Sequence, residues 1–217
     1  EWLNLLEAIN EMELVSPQVA KSFINNSLPQ PNSQLASNLL FFLKALKMGN
    51  FRSWVGNTTT SLLAQIKPQL LSQLEEDFGL LSRANSEPQP NEWRTAIIPI
   101  FATTGLEQLQ LHTQIQSDQE INENIHNSSR FIIDISLSRI GRIQLDGFLR
   151  KKRKRLDLII RTKQSLPKEM RMQISKIYGN LSEISKITGQ ITFQVKQNFI
   201  EIPVPQYFDH SIRGVVI

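Results

Sequence analysis

Phe131-Ile132-Ile133-Asp134-Ile135-Ser136-Leu137 decides the reading of this chain, together with the segments that follow it as far as Val195. Phe131, Ile133, Ile135 and Leu137 alternate with Ile132, Asp134 and Ser136. After the break at Arg139-Ile140-Gly141, Ile143, Leu145 and Leu149 alternate with Arg142, Gln144 and Asp146. Leu156, Leu158 and Ile160 then alternate with Asp157 and Arg161, and later Ile191, Phe193 and Val195 alternate again. Period two places one set of side chains on a buried sheet face and the other in water. Between the third and fourth segments, Leu166, Met170, Ile174, Ile177, Leu181 and Ile184 fall three and four apart, one stripe of an α-helix. Gly189 is placed to end that helix in a left-handed conformation. A sheet with one apolar face and a helix with one apolar stripe bury each other.

The 217 residues suffice for one large domain or two small ones, and the 40% apolar content suffices for a core. Net charge is only +4, so the chain is not of the highly charged disordered kind. No apolar run reaches the length of a membrane span; the longest cluster is Leu39 to Leu43. No basic region opens the chain as a secretory signal would, and the missing initiator Met suggests an upstream segment. The absence of cysteine excludes disulfides, thiolate zinc sites and cysteine nucleophiles.

Residues 1–84 read as a helical domain. Trp2, Leu5, Leu6 and Ile9 form a short stripe, and Ser16-Pro17 signals a helix start. Residues 26–33, with Pro29 and Pro31, read as a loop. A helix is expected from Gln34 to Lys47, ending at Gly49-Asn50, and apolar enough around Leu39 to Leu43 to be the buried centre. Residues 51–56 read as a packing plug, with Trp54 in the core. A last helix runs from about Thr58 to Ser82, and Pro68 either kinks it or marks its true start. Residues 85–92 read as a linker, 93–205 as an α+β domain and 206–217 as a flexible tail. A first hairpin is expected through Thr103-Thr104-Gly105, an exposed loop over 116–129, and an edge strand over 200–205. The fold class is therefore α+β: an all-helical N-terminal half, then a mostly antiparallel sheet packed on one long helix.

The segment 134–195 resembles the C-terminal domain of the flagellar hook-length control family. The resemblance is carried by Leu137-Ser138-Arg139-Ile140-Gly141-Arg142-Ile143-Gln144-Leu145, by Leu156-Asp157-Leu158-Ile159-Ile160, by the helix Met170 to Ile187, and by Gly189-Gln190-Ile191-Thr192-Phe193. It covers about 60 residues. This chain departs from the family pattern in having Leu137-Ser138-Arg139 before the first turn, and a long basic second turn in place of a glycine-rich one. The resemblance implies a substrate of the flagellar type III export apparatus, acting in the bacterial cytoplasm. It implies docking on the cytoplasmic domain of a membrane-embedded export switch protein, which changes export specificity. It implies no cofactor and no covalent chemistry.

The run Arg150-Lys151-Lys152-Arg153-Lys154-Arg155 is the sharpest local feature. Six adjacent like charges prefer water, so it reads first as a solvated hairpin turn. It also suits an acidic protein, an anionic membrane surface or a nucleic acid. Single-strand RNA binding needs stacking aromatics, and only Phe148 is near. His112, His126 and His210 share no metal-ligand spacing. Glu75-Glu76-Asp77 lacks the alternation of a calcium loop, and there is no P-loop or Gly-x-Ser-x-Gly motif. The reading is a non-catalytic binding module. Its working surface is expected on the sheet's solvent face and the basic turn, at Arg139, Arg142, Arg150, Lys151, Lys152 and Arg153. Two alternatives stay open: a nucleic-acid-binding protein using Arg150 to Arg155, and a structural adaptor unrelated to export.

Overall fold

A computed structural model describes residues 2–86, 93–115, 128–137 and 140–202. Among them, seven helices precede or interleave with a six-stranded sheet of order β1-β2-β3-β4-β5-β6, an α+β arrangement. Contacts divide the chain into two units. One holds the helices to residue 86 with 96–109; the other holds 93–95 with 110–202.

In the first unit, α1 (Leu3–Val15) buries Leu5, Ala8, Ile9 and Met12, spaced as one helical face. Pro17 opens α2 (Pro17–Ser27), where its fixed φ and missing N–H cost nothing. α3 (Leu35–Met48) ends at Gly49 with φ 62°, a left-handed cap that glycine adopts freely. Asn50 Oδ1 accepts the Ser53 N–H at 3.0 Å and starts the short α4 (Phe51–Val55). α5 (Asn57–Ile66) stops before Pro68, which is the first residue of α6 (Pro68–Ser86). The proline therefore marks a true helix start rather than a kink.

The core of this unit is aromatic. Trp54 and Phe78 stack at 5.5 Å, and Phe23, Phe42 and Phe51 meet Trp54 edge-on. Trp54 Nε1 donates to the Ser27 carbonyl at 2.9 Å. The plug expected at 51–56 is thus the centre of the unit, and α3 is not. α3 buries Phe42 but leaves Leu40 69% exposed and Phe41 40% exposed. A single helix packed on one side can bury only one stripe, however apolar its other faces are.

In the sheet, β1 (Trp93–Ala102) and β2 (Gly105–Ile115) form the expected hairpin, with a turn at 103–104. β3 (Ser128–Leu137), β4 (Gly141–Arg150) and β5 (Arg155–Thr162) follow as an antiparallel meander. Ser128 and Ser129, read from sequence as loop, pair with Arg150 and Leu149; residues 116–127 lie outside the described residues. α7 (Lys168–Ser185) then carries the chain back, so that β6 (Ile191–Val195) lies parallel to β5. The 87–92 part of the expected linker and the tail from 203 onward also lie outside the described residues.

Two expectations for α7 are corrected. Leu166 is buried, and Met170 and Ile174 are half-buried with Tyr178, but Ile177, Leu181 and Ile184 are exposed. The helix packs chiefly along the edge strand β6, so only part of the apolar stripe finds a partner. The left-handed residue that caps the helix is Lys186, at φ 54°, and not Gly189. Gly189 serves a different need: at φ 146° it passes so close to β5 that a Cβ would stand 1.8 Å from the Leu156 carbonyl oxygen.

Candidate interaction surface

Register assigns the side chains of β3 to β6 to two faces. Ile133, Leu145, Ile160 and Phe193 are direct neighbours on one face, as are Ile135, Ile143, Thr162 and Val195. This apolar face is only half-buried over most of its length. Beside it, α7 and β6 border an open groove of about 450 Å³ lined by Lys168, Arg171, Met172, Ser175 and Phe193.

The opposite face holds the polar alternates, and it is not simply solvated. Asp134, Gln144 and Asp146 are buried there. Asp146 takes Arg130 at 2.8 Å and Arg161 at 3.0 Å; Arg130 also lies over the Trp93 ring, 5.8 Å from its centre. Asp134 takes Arg142 at 2.6 Å, and Arg142 continues to Glu201 at 2.9 Å. Asp157 takes Arg150 and Arg155. Carboxylates and guanidiniums that read as water-facing alternates therefore neutralise one another across strands.

The chain after β6 crosses this polar face. Phe199 is buried, with the Arg142 guanidinium 4.7 Å from its ring centre. Gln144, fully buried, binds the Ile200 backbone on both sides: its Nε2 donates to the Ile200 carbonyl at 2.9 Å, and its Oε1 accepts the Ile200 N–H at 3.1 Å. One side-chain amide thus imitates a strand neighbour. Ile200 is held this way, Glu201 by Arg142, and residues 200–202 form no strand, unlike the edge strand expected there. Replacing Gln144 by Ala leaves the part-buried Ile200 carbonyl and N–H without this partner, at about 1–3 kcal/mol. The expected result is a lowered unfolding midpoint with loss of exchange protection at the Ile200 amide; unchanged protection there would contradict the clasp.

The residues singled out from sequence fall into distinct settings. Arg139 lies outside the described residues. Arg142 is engaged inward with Asp134, Glu201 and Phe199, and Arg150 is tied to Asp157 and stacked 4.7 Å over Phe148. Lys151, Lys152 and Arg153 are exposed in the turn 151–154 that joins β4 to β5. The structure therefore brings Lys151, Lys152 and Arg153 together, and assigns Arg142 and Arg150 to holding the sheet. What sequence reading missed is the Asp134–Gln144–Arg142–Glu201 cluster. The usable signal was opposite charges on one face of adjacent strands: Asp134 pairs in register with Gln144, and Arg142 stands diagonally two positions away.

Protonation follows from these contacts. Burial holds His112 below its usual 6.5; Asp134 opposes that and Arg142 reinforces it. Its Nδ1 lies 2.8 Å from Thr95 Oγ1. Asp146 is raised by burial, but hydrogen bonds from Arg130 and Arg161 outweigh this and leave it below 3.8. The Arg155 guanidinium likewise holds Asp157 low. All three groups bind protons less readily folded than unfolded. Their contribution is complete above about pH 6.5, declines below that through His112, and declines further below about pH 4 through the carboxylates. Urea midpoints of the second unit are expected to fall on acidification; a midpoint that rises would contradict these assignments. Among the described residues no group of three or more acidic or histidine side chains is arranged to hold a metal ion.

No protein-family model, curated protein or solved structure matches this chain.

Proposed function

We propose that the chain is a non-catalytic protein-binding module of the flagellar or a related type III export system. In this reading the 134–195 segment docks on the cytoplasmic domain of a membrane-embedded export switch protein and changes export specificity. The observation that carries it is the β3–β4–β5–α7–β6 unit, which coincides with the span bearing the family resemblance and leaves an apolar sheet face half open. Half-exposed apolar area of that kind is the ordinary substrate of protein docking. The exposed cations of the turn 151–154 supply steering toward an acidic partner. The shifted carboxylates Asp146 and Asp157 are consumed in ion pairs, which favours a structural role over acid–base work. Phe148 is covered on one face by Arg150, which weighs against base stacking and so against the nucleic-acid alternative.

Two measurements test the proposal. Calorimetry of the full chain with a purified export-switch cytoplasmic domain should show saturable binding, weakened by Leu145→Asp on the open face. In cells, removing residues 93–217 should give overlong hooks without filaments. Normal hooks from that deletion, or no heat of binding, would remove this reading.

A further inference from the structure

At one end of the second unit, the basic turn and the end of α7 are tied together. The Thr188 N–H donates to the Lys154 carbonyl at 2.8 Å, and the Leu156 N–H donates to the Thr188 carbonyl at 2.8 Å. The Tyr178 hydroxyl donates to the Leu156 carbonyl. Lys186 lies two residues before Thr188, at the left-handed turn that ends the helix. Lys151, Arg153, Lys154 and Lys186 are all exposed and share this tip, with Lys152 beside them. Glu183 is the acid carried by the same helix end, while Arg150 and Arg155 are already paired with Asp157. The last turns of α7, which lead into Lys186, carry two exposed aliphatic side chains: Leu181, 59% exposed, and Ile184, 83% exposed.

We propose that this tip is a peripheral contact site for anionic lipid headgroups. Cations held within a Debye length of an anionic leaflet gain from its negative surface potential. Exposed aliphatic side chains on the helix end that carries Lys186 enter the headgroup boundary, where they leave water. The match does not need a spanning segment, and no described helix is long and apolar enough to cross a membrane. An acidic protein surface would meet the same cations, and it is the competing outcome of the test below. RNA would call for open aromatic faces, and Phe148 has the Arg150 guanidinium over its ring. The lipid surface uses both halves of the tip, and it stands independently of the export reading.

The test is co-sedimentation of the full chain with phosphatidylcholine vesicles, with and without phosphatidylglycerol. Binding is expected only to the vesicles carrying phosphatidylglycerol, and it should vanish at high salt. The triple variant K151E, R153E and K186E should lower partitioning by about a hundredfold, at about fivefold or more per cation lost. The neutral pair K151Q and R153Q should lower it in the same direction by less, and serves if the reversals perturb folding. L181S with I184S should weaken binding several-fold while keeping its salt dependence. Three results would overturn the proposal: no binding to anionic vesicles, binding that the charge variants leave unchanged, or retention on polyglutamate or an oligoribonucleotide that anionic vesicles do not compete away. Because no export protein is present in the assay, its outcome leaves the export reading untouched.

Discussion

Trp54→Ala is expected to unfold the helical unit under conditions where the parent chain is fully folded. Trp54 is 2% exposed and touches Phe23, Phe42, Phe51 and Phe78, side chains contributed by α2, α3, α4 and α6. Truncation removes the ring and leaves a cavity walled by four other rings. Losses of about 3–5 kcal/mol are typical for such a change. The Ser27 carbonyl also loses its indole donor, adding about 1 kcal/mol or more if it stays buried. Small domains are stable by only about 5–15 kcal/mol, so most of the margin goes. Urea denaturation followed by far-UV circular dichroism measures it. Trp54→Phe keeps a ring in place and should lose less than half as much. A midpoint unchanged in Trp54→Ala would show that this aromatic cluster is not the core of the unit.

Gly189→Ala should release β6 from β5. The residue holds φ 146°, where an L-side chain is strained by about 1–3 kcal/mol. The added Cβ would stand 1.8 Å from the Leu156 carbonyl oxygen and 2.6 Å from the Tyr178 hydroxyl. The first of these is strand backbone and cannot swing aside. The Leu156 and Leu158 N–H groups donate to the Thr188 and Gln190 carbonyls on either side of Gly189. Displacing the chain there costs about a further 1–3 kcal/mol. Hydrogen exchange should show lost protection at the Leu156 and Leu158 amides while the β3–β4 pairs keep theirs. Protection retained at both amides would contradict the close approach.

The two substitutions mark different limits of sequence reading. Trp54 was legible as core because it sits among apolar neighbours between helix signals, and burial is what apolar side chains do when a partner exists. Gly189 was legible as a special glycine, but its reason was not. From sequence a glycine after an amphipathic stretch reads as a helix cap. Only the fold shows that Lys186 performs the cap and that Gly189 lets two strands approach.

The interaction surface divides the same way. The turn Lys151 to Lys154 announced itself as exposed, because six adjacent like charges repel out of any core. Arg142 and Arg150 belonged to the same reading, yet each is bound to a carboxylate. Their partners Asp134 and Asp157 lie eight and seven residues away along the chain, and meet them only once strand register is set.

The sequence by itself determined the α+β class, the succession of a helical half and a strand-rich half, the start of a helix at Pro17, and the helical state of residues 168–185, while the choice between a kink and a helix start at Pro68 came from the structure. The former follow from local periodicity and from backbone constraints within a few residues. Tertiary structure alone decided which apolar stripe found a partner, which polar row was buried, and that Gln144 would clasp Ile200 from 56 positions away. Those outcomes depend on which surfaces meet across long stretches of chain, and alternation gives a side chain its face without saying what will cover it.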